Sequence, residues 1–243
     1  MSRVLHVISP HLDDAALSCS LLMAAHPGSY LTTVFAGGPA SVRPLTPWDR
    51  AGRYFTDGAD VMGTRRAEDA RAAVLIQATA RHLSYWDRQY RNDRYGYTGL
   101  PDRDLPEVIA EDLLRQDPAA DAWMIPLGLG HPDHRLAADA ALIAVKRWLP
   151  FQRVYLYEEL PYAVEDPAEV AGRKQRLAER GLALVADHTL ERRDDRALKK
   201  AVFRCHASQR RQLRWRARTA TRTPERVWQL VRADEGTLVP SAG

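Results

Sequence analysis

Apolar and polar positions along this chain switch repeatedly between a strand-like and a helix-like rhythm. Val4–Ser9 is a short β-branched run that reads as a strand, and Asp13–Ala25 follows with helical composition. Tyr30–Ala36 predicts a second strand, and the Gly-, Pro- and Ser-rich stretch Gly37–Gly58 a long loop. Thr64 is the expected cap of a helix over Arg65–Ala80, with Glu68 and Asp69 in its first turn. His82–Trp86 predicts a third strand, Pro106–Arg115 a helix, and Ala122–Pro126 a fourth strand leading through Gly128 and Gly130 into a helix over Leu136–Trp148. Arg153–Tyr157 is the fifth predicted strand. Beyond it lie a helix near Glu169–Gly181, a strand near Leu182–Thr189, a helix over Asp195–Gln209 and a last edge strand at Val227–Val231.

This alternation, without an internal repeat or a clean boundary, predicts an α/β fold in one domain, residues 1–243: a doubly wound, mainly parallel sheet with helices on both faces. Such sheets bind ligands beyond the carboxyl ends of their strands, where the strand order reverses. In a 3-2-1-4-5 order, the segments after strands one and four meet there.

Composition narrows the class. At 243 residues with 45% hydrophobic and 27% charged content, the chain matches an ordinary globular protein able to bury a core. No segment approaches the roughly 20 apolar residues of a membrane span, and the N-terminal apolar run is too short for a secretory segment. Two cysteines, Cys19 and Cys205, exclude a disulfide framework and a cysteine-built metal site, so a cytoplasmic protein is expected. The net charge of +4 hides an asymmetry: the basic C-terminal segment 192–232 carries +11 and the remainder −7. Seven of its arginines fall between Arg210 and Arg226. A solvated helix that pairs with the acidic remainder accounts for this stripe most simply. Binding of phosphates, nucleic acid or anionic lipid is the alternative; no nucleic-acid-reading motif accompanies it, and no nucleic-acid partner is expected.

The candidate chemistry lies in Ser9-Pro10-His11-Leu12-Asp13-Asp14 and His131-Pro132-Asp133-His134, which follow strands one and four. His11 and Asp14 stand three residues apart across a strand-to-helix turn, close enough to share an ion, and His134 is the natural third ligand. Two imidazoles and a carboxylate with an open fourth position make a hydrolytic zinc site. Asp13 beside it is the expected general base. His131 is the oxyanion stabiliser or acid, and Asp133 orients a histidine from behind. Taken singly, Asp13-Asp14 reads as a helix cap and the histidines as loop residues; the pairing of both clusters at neighbouring strand ends speaks for a site.

The segment from Ser9 to Ser18 resembles the variant first motif of the PIG-L/LmbE-like N-acetyl deacetylases, and His131–His134 resembles the second. Arg65–Asp69, Tyr157–Tyr162 and Ala207–Gln209 are also family-like. The resemblance implies a Rossmann-like domain and a zinc-dependent hydrolase that removes acetyl from an N-acetylglucosamine-type amine. His11, Asp14 and His134 are then the ligands, Asp13 the base, His131 the electrostatic partner and Arg65 a substrate contact, with a helix-capping salt bridge as the other account of Arg65. The more familiar first motif reads His-Pro-Asp-Asp-Glu; Leu12 and Ala15 depart from it. Leu129 stands where some members have a tyrosine, so oxyanion stabilisation falls to zinc, His131 or a tyrosine from elsewhere.

The leading expectation is a zinc N-deacetylase acting on a small N-acetylated glycoside, with the Gly37–Gly58 loop and the aromatic residues Trp86, Tyr90 and Tyr95 lining the sugar site. Two alternatives use the same residues differently. The two-histidine, one-carboxylate set also binds non-haem Fe(II), and the arginine stripe alone would suit an anion or nucleic-acid binder.

Overall fold

A computed structural model of the protein describes residues 3–116, 120–148, 153–187 and 189–233. In chain order its elements are β1 (Leu5–Ser9), α1 (Asp14–Ser18), α2 (Ser20–Ala25), β2 (Tyr30–Thr33), α3 (Pro47–Ala51), α4 (Val61–Leu75) and β3 (Thr79–His82). Then come α5 (Leu105–Arg115), β4 (Ala122–Pro126), α6 (Pro132–Trp148), β5 (Val154–Tyr157), α7 (Tyr162–Glu165), α8 (Pro167–Ala178) and β6 (Leu182–Ala186). The last are α9 (Arg196–Arg204), α10 (Arg214–Ala220) and β7 (Val227–Arg232).

The strands form one seven-stranded sheet in the order β3-β2-β1-β4-β5-β7-β6. β3 to β5 run parallel, and β7 pairs antiparallel with both β5 and β6. The expected 3-2-1-4-5 order is therefore present, and β1 and β4 are neighbours.

The strand sequences explain the two cores. Ile8, Trp123, Ile125, Val154 and Leu156 point to one face and pack with residues of α5, α6 and α8. Their alternates Leu5, Val7, Ala122, Met124, Tyr155 and Tyr157 point to the other, against α1, α2, α4 and α9. Strands buried on both faces read as continuous apolar runs, which is why β4 is legible residue for residue. His6 alternates onto the first face, where its ring meets the Trp123 edge at 4.7 Å and its Nε2 lies 2.8 Å from Thr32 Oγ1. Burial, followed by the Arg81 charge, lowers its pKa to about 3.

Several expectations shift. The helix expected over Asp13–Ala25 breaks at Cys19, because Glu225 accepts from the Leu21 and Leu22 N–H groups and so caps a second helix. α4 begins at Val61 rather than Arg65, capped by Asp60 through Gly63 N–H at 2.8 Å. It stops at Leu75, with Gln77 in the left-handed region, so β3 begins at Thr79. β7 is not an edge strand: it inserts between β5 and β6, and β6 takes the edge. The expected loop over Gly37–Gly58 contains α3, capped by Thr46. The strand expected to run to Thr189 ends at Ala186, and His188 lies outside the described residues.

Candidate metal centre

The first motif leaves β1 as an extended strap. Val34 N–H donates to Ser9 O and Phe35 N–H to Pro10 O, both at 2.9 Å, so the chain beyond β2 holds it in line with the sheet. Ser9 Oγ donates to His11 O and accepts from Ala15 N–H, closing the turn into α1. Behind this turn two of the family-like stretches meet. Glu68 on α4 accepts from Ser208 N–H and Oγ, and the neighbouring Gln209 amide donates to Leu12 O at 2.9 Å. The second motif leaves β4 through Gly128 and Gly130, both at positive φ, and α6 starts at Pro132, which places His134 in its first turn. At Gly130 a Cβ would lie 2.0 Å from the Tyr162 ring, so a side chain here would displace that tyrosine.

The two segments converge as expected from strand order. Asp14 Oδ2 lies 3.2 Å from His11 Nδ1 and 3.1 Å from His134 Nε2. The opposite nitrogen of each ring faces a buried carboxylate: His11 Nε2 is 3.1 Å from Asp133, and His134 Nδ1 is 3.4 Å from Glu159. A carboxylate behind each imidazole fixes its orientation and raises its basicity toward an ion. Both His134 nitrogens are buried and neither makes a well-aligned hydrogen bond, leaving Nε2 a donor atom in search of a partner. Two nitrogens and one oxygen, with the fourth side open to a cavity, suit a tetrahedral divalent ion. His11, His131 and Asp133 also lie close enough to form a cluster. Asp133, however, is already occupied by His11, by Arg88 N–H at 3.0 Å and by the Arg91 guanidinium. The fitting set is His11, Asp14 and His134.

Burial and neighbouring charges move these groups far from their ordinary values. Burial alone would lower the His134 pKa, but Asp14 and then Glu159 outweigh it and raise it to about 9. Burial of His11 is likewise overcome by Asp133 and Asp14, which hold its pKa well above the usual imidazole value. Asp14 is held well below the carboxylate range, because His134 and His11 outweigh its burial. Asp13 is different: burial, then the charge of Asp14, raise its carboxyl to about 7. His131 is lowered to about 4 by burial and by the charge of His11. Its Nδ1 accepts from Asp133 N–H at 3.1 Å, which leaves Nε2–H as the donor.

The site opens into a cavity of about 630 Å³ bordered by Asp13, His131, Trp48, Asp87, Tyr162 and Arg216, among others. Trp48 comes from α3 within the long loop, as expected of that segment. The aromatic wall expected from Trp86, Tyr90 and Tyr95 does not form. Tyr90 is fully buried and donates to Asp49, while Trp86 and Tyr95 pack around it; the cavity instead meets the polar residues Asp87, Arg88, Gln89 and Asn92. Arg65 does not reach the cavity either. It is buried beneath it, 2.7 Å from Asp49, and the substrate contact expected of it is replaced by a structural ion pair. Asp133 is also fully buried, so it positions His11 and does not face substrate.

Two residues of the site carry no sequence-derived role. Glu159 follows β5, the next strand in the sheet, and accepts from the N–H groups of Leu127, Gly128 and Leu129 as well as facing His134. A carboxylate directly after an apolar strand, at the address where the motifs meet, is the signal that points to it. Tyr162 sets its ring edge-on to His134 with centroids 5.0 Å apart. Burial and the charges of Asp14 and Asp13 push its phenol well above the usual tyrosine value, so it stays a donor. It brings a phenol from the segment after β5 to the border of the cavity.

Among curated proteins, the chain is 31% identical over 191 residues to the 2'-N-acetylparomamine deacetylase of Streptomyces fradiae; the alignment spans 72% of this chain and 63% of that relative. Among solved structures, a deacetylase triple mutant from the teicoplanin biosynthetic pathway superposes at TM-score 0.74 with 27% identity, over 96% of this chain and 99% of its own. The zinc inhibited form of teicoplanin deacetylase superposes at TM-score 0.72 with 27% identity, over 95% and 99%. With both motifs, the sheet order and a match over residues 6–145 in agreement, the chain belongs to the PIG-L family, described as GlcNAc-PI de-N-acetylase.

Proposed function

We propose that this protein is a zinc-dependent N-deacetylase acting on an N-acetylated amino sugar within a small glycosylated compound. The observation that carries this reading is the convergence of His11 Nδ1 and His134 Nε2 on Asp14 at 3.2 and 3.1 Å, on the floor of a cavity that also exposes Asp13 and His131. Relatives named for deacetylating 2'-N-acetylparomamine and for deacetylation in teicoplanin biosynthesis support the substrate class.

Held by His11, Asp14 and His134, zinc supplies a water acidified to a pKa of about 7 and a Lewis acid for the amide carbonyl. The protein does the rest. Asp13, beside Asp14 and open to the cavity, accepts the proton of the attacking water and returns it to the amine nitrogen as the C–N bond breaks, giving acetate and a free amine. His131 Nε2–H and the Tyr162 hydroxyl donate to the carbonyl oxygen as it gains charge. Asp133 and Glu159 hold the two imidazoles in register. Trp48 offers a flat face for a sugar ring. An iron oxygenase built on the same ligands would leave Asp13, His131 and Tyr162 idle, so hydrolysis is the reading that employs the whole cavity.

A screen of N-acetylated amino sugars and glycosides for released amine, with Asp13→Ala as control, tests the proposal. Turnover should vanish with a chelator and fall by about 10²–10⁴ in Asp13→Ala. Full activity in that variant would sink the proposed role of Asp13.

A further inference from the structure

The arginine stripe pairs with the acidic remainder only in part. Ion pairs within 192–232 include Lys199 with Glu225, Arg216 with Glu165 and Arg226 with Glu158. Lys200, Arg204, Arg210, Arg214 and Arg218 have no carboxylate partner among the described residues, and all five border one concavity of about 620 Å³ between α9 and α10. Neither helix contains an acidic residue. Lys200 and Arg204 are four apart on α9, and Arg214 and Arg218 are four apart on α10. Such like-charge neighbours weaken a helix. A net of −7 elsewhere in the chain supplies ample carboxylates, yet none of the described ones is brought here. Stability therefore does not explain this face.

The concavity also has an apolar part. Phe203 and Ala217 lie against its base, and Trp215 stands at the border, 60% exposed, with the Arg216 guanidinium 5.6 Å from its ring. Converging cations beside one exposed indole match a ligand with clustered phosphate charge and one flat ring. The volume is that of a small-molecule site. A single-stranded nucleic acid needs a series of aromatic platforms for successive bases, and only Trp215 is offered here. α10 separates this concavity from the metal cavity: Arg216 borders the latter, while Arg214, Trp215 and Arg218 border the former.

We propose that the α9–α10 concavity is a second binding site, for a nucleoside diphosphate or a sugar linked to one, with the cations on the diphosphate and Trp215 on the base. Guanidinium groups bind phosphate oxygens through paired, charge-assisted hydrogen bonds, and Arg stacks on flat rings as well.

The test is calorimetric titration of the full chain at low salt with ADP, with UDP, with inorganic pyrophosphate and with a short oligothymidylate. ADP and UDP should bind, more tightly than pyrophosphate, and Arg214→Ala/Arg218→Ala should weaken both at least about tenfold. Because these two side chains lie outside the metal cavity, that loss separates the site from phosphate binding at the metal. Trp215→Ala should bring ADP down to the affinity of pyrophosphate, and this single exposed change decides the matter if the double variant does not fold. Absence of binding at millimolar ADP, affinity unchanged in the variants, or oligothymidylate binding more tightly than ADP would each overturn the proposal.

Discussion

The metal cavity and the α9–α10 face are built from the same kinds of charged residue and treat them in opposite ways. Around the metal centre nearly every charge has an assigned partner: Asp133 holds His11, Glu159 faces His134, Arg91 grips Asp133, and Glu159 is itself held by three backbone N–H groups. On the α9–α10 face five cations share a concavity and have no partner among the described carboxylates. Buried charge is tolerated only when paired, because desolvation costs several kcal/mol per ion. Exposed charge can stand alone, at the cost of mutual repulsion. The contrast separates charges whose position the fold dictates from charges left free for something outside it.

Substitutions can break this contrast, beginning with the largest effect. His134→Ala removes a ligand and opens the buried carboxylates Asp14 and Glu159, so bound metal measured by elemental analysis and deacetylase turnover should both be lost. Tyr162→Phe deletes one donor and should lower kcat by about 10²–10³ while metal content stays unchanged. Glu159→Gln keeps the shape but weakens the support of His134, and zinc affinity should fall about 10- to 100-fold by competition with a chromophoric chelator. Asp49→Ala strands the buried Arg65 and the Tyr90 hydroxyl, so about 3–5 kcal/mol of stability should go in denaturant melts. Arg214→Ala/Arg218→Ala sits at the opposite pole: turnover of an unphosphorylated substrate should hold, and the melting temperature should stay level or rise slightly as like charges are removed. A collapse of turnover in that double variant would erase the distinction between the two regions.

Much of this was legible in the sequence, for reasons specific to each part. β1 and β4 are buried on both faces, so their apolar runs mark them, and the parallel order places their following segments together. His11, Asp14 and His134 are therefore recoverable as a cluster from spacing and topology. A salt bridge is one of the two readings of Arg65, but its partner is not recoverable, because Asp49 lies on α3, inside a stretch whose glycines and prolines read as loop. Tyr90 reads as a sugar platform but is buried against that same Asp49. Glu159 escapes because nothing in the stretch after β5 shows which side chain turns toward His134, and β7 is misplaced because a short alternating strand carries no record of its neighbours. The unpaired face of α9 and α10 is invisible in a charge count, since the count does not show that the described carboxylates lie elsewhere in the fold.

The central claim is that a divalent ion on His11, Asp14 and His134 drives amide hydrolysis. It is tested most directly by acetate release from an N-acetylated amino sugar, measured on one preparation before metal removal, after it, and after zinc is restored. Turnover should disappear on stripping and return at one zinc per chain, with no return in Asp14→Asn. Undiminished acetate release by the stripped protein would contradict the account.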